Sequence, residues 1–573
     1  MLNLFKRYAI LKIVYLLFFG GRFMGRLRVV LSTVLVVTFL LLTCGCGSDT
    51  DGGSASEPSV DSSSNVQSSI SSDEADDVDE FDTRAVIYNG FDKYSESVPC
   101  NISDTALAVG MAKNETESVH IAFTAKKDVT NARLTVLGDL SGIELQYFTE
   151  NYVPCGDKLY PDPLVPFDGG EFSLLSGNSV TFLVDIKTVQ KVNAGKHPLK
   201  FCLMSGDTAV SNTVTADITV WDFTLSDASK SASAVSVNKD YLKVYTSNYT
   251  DETYLKYYEM MLQHGLSPYY LPYDILDARA DKYMSDPRVA GFRVPCSHDV
   301  EESVILAYCA KIKSNPEWLK KAYFYPTDEP NTIERLNSLR TRCEYLKELC
   351  PEIKIICPYY TNIDVTSDYD QTQFLLDTVD VPCPKPCMWE DKFIYSESQL
   401  KTQLPFKTRM DDHLNRGREL WWYVCNTPGK PYMNIFVDEN GLDHRVLFWQ
   451  QYQYGVSGFL YWCTNYWIKT DDPWTDVDTK TLSYPVYGEG ILVYPGEKVG
   501  IDGPVASLRL KCIRDGMEDY GLLSLAEQVL GKDYVLKKLY SCSPKPSEVS
   551  VDSNAFLKLR NEIGTDLQTA LKK

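Results

Sequence analysis

The hydrophobic rhythm of this chain changes once, near residue 230, and that change limits the folds open to it. From about Arg84 to Phe223 apolar residues recur at every second position. In "SVTFLVDIKT", Val180, Phe182, Val184 and Ile186 share one face. In "TVTADITVWDF", Val214, Ala216, Ile218 and Val220 do the same, with Thr213, Thr215, Asp217 and Thr219 opposite. Period two marks half-buried strands. Short strands broken by "NG", "SG" and "AG" turns predict a β-sandwich over 84–224. "LSDASKSAS" (Leu225 to Ser233) then reads as a linker.

Beyond Ala234 strands and helices alternate. Eight candidate strands are legible: "AVSVN", "PYYLP", "VAGFRVP", "KAYFYP", "KIICPY", "VDVPCP", "ELWWYVC" and "GFLYWC". Between the fourth and fifth, "NTIERLNSLRTRCEYLKELC" spaces Ile333, Leu336, Leu339, Cys343, Leu346 and Cys350 by steps of three and four residues, the stripe of an amphipathic helix. Eight such units predict a (β/α)8 TIM-type barrel over 234–530. "GEGILVYPG" reads as a hairpin after the eighth strand. "VASLRLKCIRDGMEDYGLLSLAEQVL" reads as a long helix that closes the barrel, with Arg514, Glu518 and Asp519 on the face opposite its apolar residues. Residues 531–573 form a C-terminal helical extension. The expected architecture is multidomain, β plus α/β.

The N-terminus reads as an export signal. "MGRLRVVLSTVLVVTFLLLTCGCGS" has basic Arg26 and Arg28, an apolar run from Val29 to Leu42, then small residues and cysteines. The apolar run is short for a membrane span. "LLTCGC" resembles a bacterial lipoprotein signal, with Cys46 as the lipidated residue and Cys44 as the alternative. Residues 1–46 are the expected signal peptide, and Met24 is an alternative start. Residues 47–83 form an acidic, Ser-rich tether. Gly47 to Glu80 holds ten acids and no Lys or Arg, too little apolar surface to offset ordering entropy. The expected location is the bacterial surface or periplasm, with a lipid anchor in the membrane.

A formal net charge of −20 excludes a nucleic-acid partner, because that affinity rests on clustered Lys and Arg. The 37 tyrosines and nine tryptophans suit sugar-binding clefts as well as cores. "CPKPC" (Cys383 to Cys387) has no second Cys pair and no "HExxH" beside it, so no metal site and no cofactor are expected. "TDDPWTDVD" (Thr470 to Asp478) does not match a calcium loop and reads as solvated.

The stretch "YFYPTDEPNTIERL" sets Asp328 and Glu329 side by side between Pro326 and Pro330, at the end of the fourth candidate strand. One reading is helix capping: Asn331 with Glu334 resembles a capping box, and the two acids favour the positive end of the helix. The other is catalysis. The prolines stiffen the corner, and the C-terminal ends of barrel strands carry active sites. Adjacent carboxylates raise each other's cost of ionising, so one of them tends to keep a proton. Neighbouring residues do not easily flank a sugar as a separated acid pair does. They suit a mechanism in which a 2-acetamido group of the substrate attacks the anomeric carbon to form an oxazoline, a known exception to the two-carboxylate rule.

"YPTDEP", "ELWWYVCNTPGKPYMNIFVDENGLDHRVLFWQQYQYGVSGFLYWCTNYW", "GEGILVYPG" and "LRLKCIRDGMEDYGLL" together resemble glycoside hydrolase family 123 over roughly Arg84 to Leu530. This is a family of bacterial β-N-acetylgalactosaminidases with an N-terminal β-sandwich and a barrel. The resemblance implies that Asp328 orients and stabilises the acetamido group. It implies that Glu329 is the general acid and later the base.

Strand-end residues supply the other cleft candidates: Tyr359 and Tyr360 after the fifth strand, Trp389 after the sixth, Trp421, Trp422, Tyr423 and Asn426 at the seventh, and Trp462, Asn465 and Trp467 at the eighth. Of these, Tyr359, Tyr360, Trp389, Trp422, Tyr423, Asn426, Trp462, Asn465 and Trp467 are taken as substrate-binding. Alternate strand positions face away from a barrel interior, so about half should be packing residues. His298, in "CSHDVEES", reads as a surface residue. The expected activity is hydrolysis of a glycan carrying β-linked N-acetylgalactosamine. Two rivals are another glycosidase on the same scaffold and a non-catalytic glycan-binding surface lipoprotein.

Overall fold

The computed structural model describes residues 81–94, 102–359, 370–390 and 406–573. Cys46, the signal segment, nearly all of the tether and Tyr360 lie outside them. Among the described residues no helix is long and apolar enough to cross a membrane.

The period-two region forms two packed sheets. The larger runs, in spatial order, through Thr83–Asn89, Thr116–Ala125, Ser179–Thr188, Ile143–Cys155, Lys158–Phe167, Pro504–Ser507 and Val493–Pro495, all antiparallel. The other runs through Ala106–Lys113, Val214–Thr224, Gly195–Ser205, Val129–Leu137 and Phe172–Leu174. Ile121, Phe182 and Val184 of the first sheet meet Leu199, Phe201, Ile218 and Val220 of the second in one buried cluster. The last two strands of the larger sheet come from the "GEGILVYPG" hairpin region, more than 300 residues after the strand they join. That hairpin therefore extends the sandwich sheet.

After the linker, short parallel strands alternate with helices. Phe292–Val294, Ala322–Phe324, Lys354–Pro358 and Val381–Cys383 form a four-stranded sheet, and Ala232–Val235, Gly458–Tyr461 and Trp421–Val424 a three-stranded one. The strand pairing is thus two sheets rather than the closed ring expected. Isolated backbone bonds, without a continuous ladder, stand at the gaps. Tyr269 N donates to Val235 O (2.7 Å), Arg293 N to Tyr269 O (2.7 Å), and Tyr423 N to Pro384 O (3.2 Å). Proline is the physical reason. Pro268 and Pro272 bracket the second candidate strand, and Pro382 and Pro384 lie at the end of the sixth. None of them has an N–H for a ladder.

The predicted helix after the fourth strand spans Ile333–Leu349, with Leu336, Leu339, Cys343 and Leu346 buried. Its cap is Thr332, whose hydroxyl accepts from Arg335 N, so the Asn331–Glu334 capping box does not form. Asn331 instead accepts from Arg335 Nη1 (2.9 Å).

The long helix spans Leu508–Leu530 and is buried on nearly every side. The expectation of an outward polar face fails, because this helix is wedged between the sandwich and the helix Gly441–Gln453. Its charges are neutralised inside the protein. Arg509 donates to Asp162 (2.7 and 2.9 Å), Lys511 and Arg514 to Asp185 (2.7 and 2.8 Å), and Asp519 accepts from Arg445 and Arg560 (2.7 and 2.6 Å). Glu115, Glu117 and Asp519 bring three carboxylates together. Arg445 and Arg560 occupy them, so the cluster is an ion-pair network. The helix Ser553–Leu571 packs Phe556, Ile563 and Leu567 against Trp221 and Trp449. Gly564 is required there: a Cβ would fall 2.3 Å from the Trp221 ring.

Candidate active site

Both faces of the short parallel strands are buried. Tyr323, Tyr325, Ile356, Val381, Cys383, Trp421, Tyr423 and Leu460 form one cluster enclosed by the strands, with Ala234 and Tyr269. The intervening residues, including Tyr359, Trp422 and Phe459, belong to the cluster shared with the helices. Because the strands are parallel, their C-terminal ends lie on one side. Tyr325 and Tyr423 are inward residues at that end.

Asp328 and Glu329 come three and four residues after Tyr325. Glu329 has φ +38°, a left-handed conformation uncommon for a side chain of this kind. Such strain persists only where surrounding bonds fix the backbone. Here Arg335 Nη2 donates to Asp328 O (2.6 Å) and Gln371 Nε2 to Pro330 O (3.1 Å). The two side chains take different partners. Asp328 Oδ1 accepts from the Tyr325 hydroxyl (2.6 Å). Glu329 Oε1 accepts from the Tyr423 hydroxyl and lies 3.5 Å from Lys385 Nζ. Asp328 is exposed and Glu329 partly exposed, so both remain open to a ligand. Burial pushes the Tyr325 and Tyr423 phenols well above their ordinary range.

Lys385 is buried at the end of the sixth strand, donates to Thr427 Oγ1 (2.7 Å) and lies 5.0 Å from the centre of the Tyr423 ring. Glu489 is nearby: Lys385 acts on its carboxyl, and Glu329, Lys385 and Glu489 all act on the half-buried Cys425 thiol. Burial raises the Glu489 carboxyl to about 7, against the lowering effects of Trp462, Thr481 and Lys385. Glu489 Oε1 accepts from Trp462 Nε1. Gly488 and Gly490 on either side have φ +75° and +74°. A Cβ on Gly490 would fall 2.8 Å from Tyr466 and 2.9 Å from Trp462. The loop is held from behind by Arg509, which donates to Gly488 O (2.8 Å).

Of the sequence-derived candidates, Asp328, Glu329, Tyr423, Asn426 and Trp462 lie at these strand ends with partial exposure or a direct bond to the pair. Five others do not. Tyr359 faces the helices, where its hydroxyl donates to Thr372 O (3.3 Å), and only its carbonyl reaches Tyr423. Trp389 and Trp422 pack edge to face on each other, 5.9 Å between centroids. Asn465 is buried with its amide on Asn238 N and O (2.8 and 2.9 Å), joining the ends of the first and eighth strands. Trp467 is fully buried and donates to Val493 O (2.9 Å). In each case the polar group already has a structural partner or the ring lies in the helix layer. His298 is exposed, as expected. Cys383 and Cys387 are buried free thiols, as are most of the described cysteines.

The reading of residues overlooked Tyr325, Lys385, Thr427 and Glu489. Lys385 lies in the middle of "CPKPC", where the flanking thiols drew attention, although it directly follows a candidate strand. Glu489 lies in "GEG", where paired glycines around a single acid signal a carboxyl held by a tight loop.

The family model for the catalytic domain of glycoside hydrolase 123 matches residues 207–526. Among solved structures, a family 123 glycoside hydrolase from Clostridium perfringens, described in a study of glycolipid glycan hydrolysis, is similar with a TM-score of 0.61 at 13% identity, over 85% of this chain and 98% of that one. A β-glucuronidase from Parabacteroides merdae gives a TM-score of 0.28 at 10% identity, over 73% of this chain and 51% of that one. A β-galacturonidase from Eisenbergiella tayi gives 0.27 at 9%, over 76% and 73%. No curated protein matches the chain. The family model spans more than half of the sequence, and the strand-end acids lie within it: the chain belongs to glycoside hydrolase family 123 and is a glycoside hydrolase.

Proposed function

We propose that the chain hydrolyses β-linked N-acetylgalactosamine with retention, using the substrate's own acetamido oxygen as nucleophile. The observation that carries this reading is the pair itself. Asp328 and Glu329 are adjacent, open to a ligand, and bonded to different tyrosines. Asp328, fixed by Tyr325, is placed to orient the acetamido N–H and to balance the positive charge of the oxazolinium-like transition state. Glu329 protonates the leaving oxygen, then takes a proton from the water that opens the oxazoline. Trp462 supplies an aromatic face for the sugar and Asn426 a hydroxyl reader.

The two parallel sheets serve in this reading as a (β/α)8-type scaffold, with residues 267–270 in place of the second strand. The segment divisions 84–224, 234–530 and 531–573 stand as part of the proposal, as do lipidation at Cys46 and a cell-surface or periplasmic location. The similarity to a protein studied for glycolipid glycan hydrolysis makes glycolipid glycans a sensible substrate panel.

The test is turnover of aryl β-N-acetylgalactosaminide against the N-acetylglucosaminide and against an aryl glycoside lacking the 2-acetamido group. Asp328→Asn should lower kcat by about 10²-fold or more, and Glu329→Gln by a similar factor on poor leaving groups. A thiazoline mimic of the oxazoline should bind tightly. Wild-type rates from both variants would refute the assignment.

A further inference from the structure

The Tyr423 hydroxyl touches two oxygens: Glu329 Oε1 and the backbone carbonyl of Tyr359. A phenol has one hydrogen to donate and lone pairs to accept with, whereas a carbonyl only accepts. The single hydrogen cannot serve both oxygens fully at once. With Glu329 ionised, the hydrogen belongs on the carboxylate, since a charged acceptor gives the stronger bond. With Glu329 protonated, the carboxyl O–H donates to Tyr423 Oη, and the Tyr423 hydrogen turns to Tyr359 O. Neither state requires a heavy atom to move; in the ionised state the Tyr359 carbonyl gives up this donor.

Asp328 is held differently. Among the described residues its tyrosine, Tyr325, has one hydrogen-bond acceptor for its hydroxyl, Asp328 Oδ1. Tyr325 thus has no second acceptor among the described residues to turn its hydrogen toward. The two tyrosines therefore distinguish the neighbouring acids.

We propose that Tyr423 is the proton-state partner of Glu329, its hydroxyl hydrogen turning between the Glu329 carboxyl and the Tyr359 carbonyl as Glu329 gives up and regains the catalytic proton. Tyr423 is a positioning residue here. It acts through Glu329 and does not hold the sugar. In the first half-reaction the Glu329 proton passes to the leaving oxygen as the C1–O bond breaks, and the Tyr423 hydrogen turns onto the new carboxylate. In the second, Glu329 takes a proton from the attacking water, and the Tyr423 hydrogen turns back. Tyr423 neither gains nor loses a proton. Burial keeps its phenol protonated throughout. Among the described residues, the other charged or titratable groups around Glu329 and Tyr423 include Asp328, Lys385 at 3.5 Å, Cys425, and Arg335 on the Asp328 carbonyl, with Lys385 acting in turn on Glu489.

This inference rests on the proposed acid–base role of Glu329. The experiment is Tyr423→Phe, measured as kcat, KM and pH–rate profile on aryl N-acetylgalactosaminides of graded leaving-group quality. The expected result is a loss of about 10-fold or more in kcat on poor leaving groups and little loss on good ones. KM should be unchanged, and the limb set by Glu329 should move to higher pH, because the carboxylate loses its donor. Incorporating 3-fluorotyrosine at 423 should restore kcat. A rise in KM with an unmoved pH profile would overturn the proposal and make Tyr423 a sugar contact. An unchanged variant would overturn it as well. Infrared pH titration of the Glu329 carboxyl, identified by its loss in Glu329→Gln, reads the same shift without turnover. If wild type cleaves no N-acetylhexosaminide yet the infrared shift appears, the substrate reading falls and this inference stands. An infrared band unmoved by Tyr423→Phe refutes the inference alone.

Discussion

Glu489→Gln should uncouple part of this protein's stability from pH. The wild-type carboxyl is buried, and Oε1 accepts from the Trp462 indole. Oε2 closes no well-formed hydrogen bond, although Thr481 lies near enough to lower the carboxyl's pKa. Burial raises this group from 4.5 to about 7. The folded state thus holds the proton more firmly than the unfolded chain. The stability from this group is fully present below pH 4.5 and is lost as pH rises through 7. Across pH 5.5 to 8.5 the loss is about 2 kcal/mol. Glutamine is neutral at every pH, keeps the acceptor for Trp462, and offers an N–H toward Thr481. A cooperative unit of this length has an unfolding entropy of about 1 kcal/mol per degree. The Tm of the variant should therefore gain about 2 °C on wild type between those pH values. Differential scanning calorimetry across the range is the assay. Parallel Tm–pH curves for the two proteins would show that Glu489 does not carry a raised proton affinity.

Trp467→Phe should lower Tm, by about 1–2 kcal/mol of stability for the lost bond to Val493 O, while leaving KM on any cleaved glycoside unchanged; a raised KM would return Trp467 to the cleft. Arg445→Met should destabilise by about 3–5 kcal/mol, because it removes one of the two buried cations that Glu117 and Asp519 share; urea unfolding measures this, and a shift under 1 kcal/mol would show that Arg560 alone neutralises both.

The sandwich was legible because its strands bury one face, and Val214, Ala216, Ile218 and Val220 alternate visibly with polar neighbours. The parallel strands bury both faces, so "ELWWYVC" has no alternation to read. Trp421 and Trp422 look equivalent in sequence, yet one fills the strand-enclosed cluster and the other packs on helices. The place of Asp328 and Glu329 just after a strand was legible. The groups beside Glu329 were not, because Lys385 and Tyr423 reach it from segments 56 and 94 residues downstream, and only the fold converges them. The interior charges of the long helix were hidden for a related reason. A polar stripe reads as solvated until its ion partners, Asp162 and Asp185 in the sandwich, are known.

The strand Lys158–Phe167 acquires its outer neighbour, Pro504–Ser507, from far along the chain, and Asp162 meets Arg509 across 347 residues. During synthesis the ribosome completes most of the sandwich long before that neighbour emerges. A nascent sheet edge and a carboxylate destined for burial then wait in solvent, a state that invites pairing with other chains. The waiting strand reads "KLYPDPLVPF". Pro161, Pro163 and Pro166 offer no N–H to an intruding strand, and the charge on Asp162 makes the edge still less inviting. The same residues that await Arg509 in the finished enzyme guard the unfinished one.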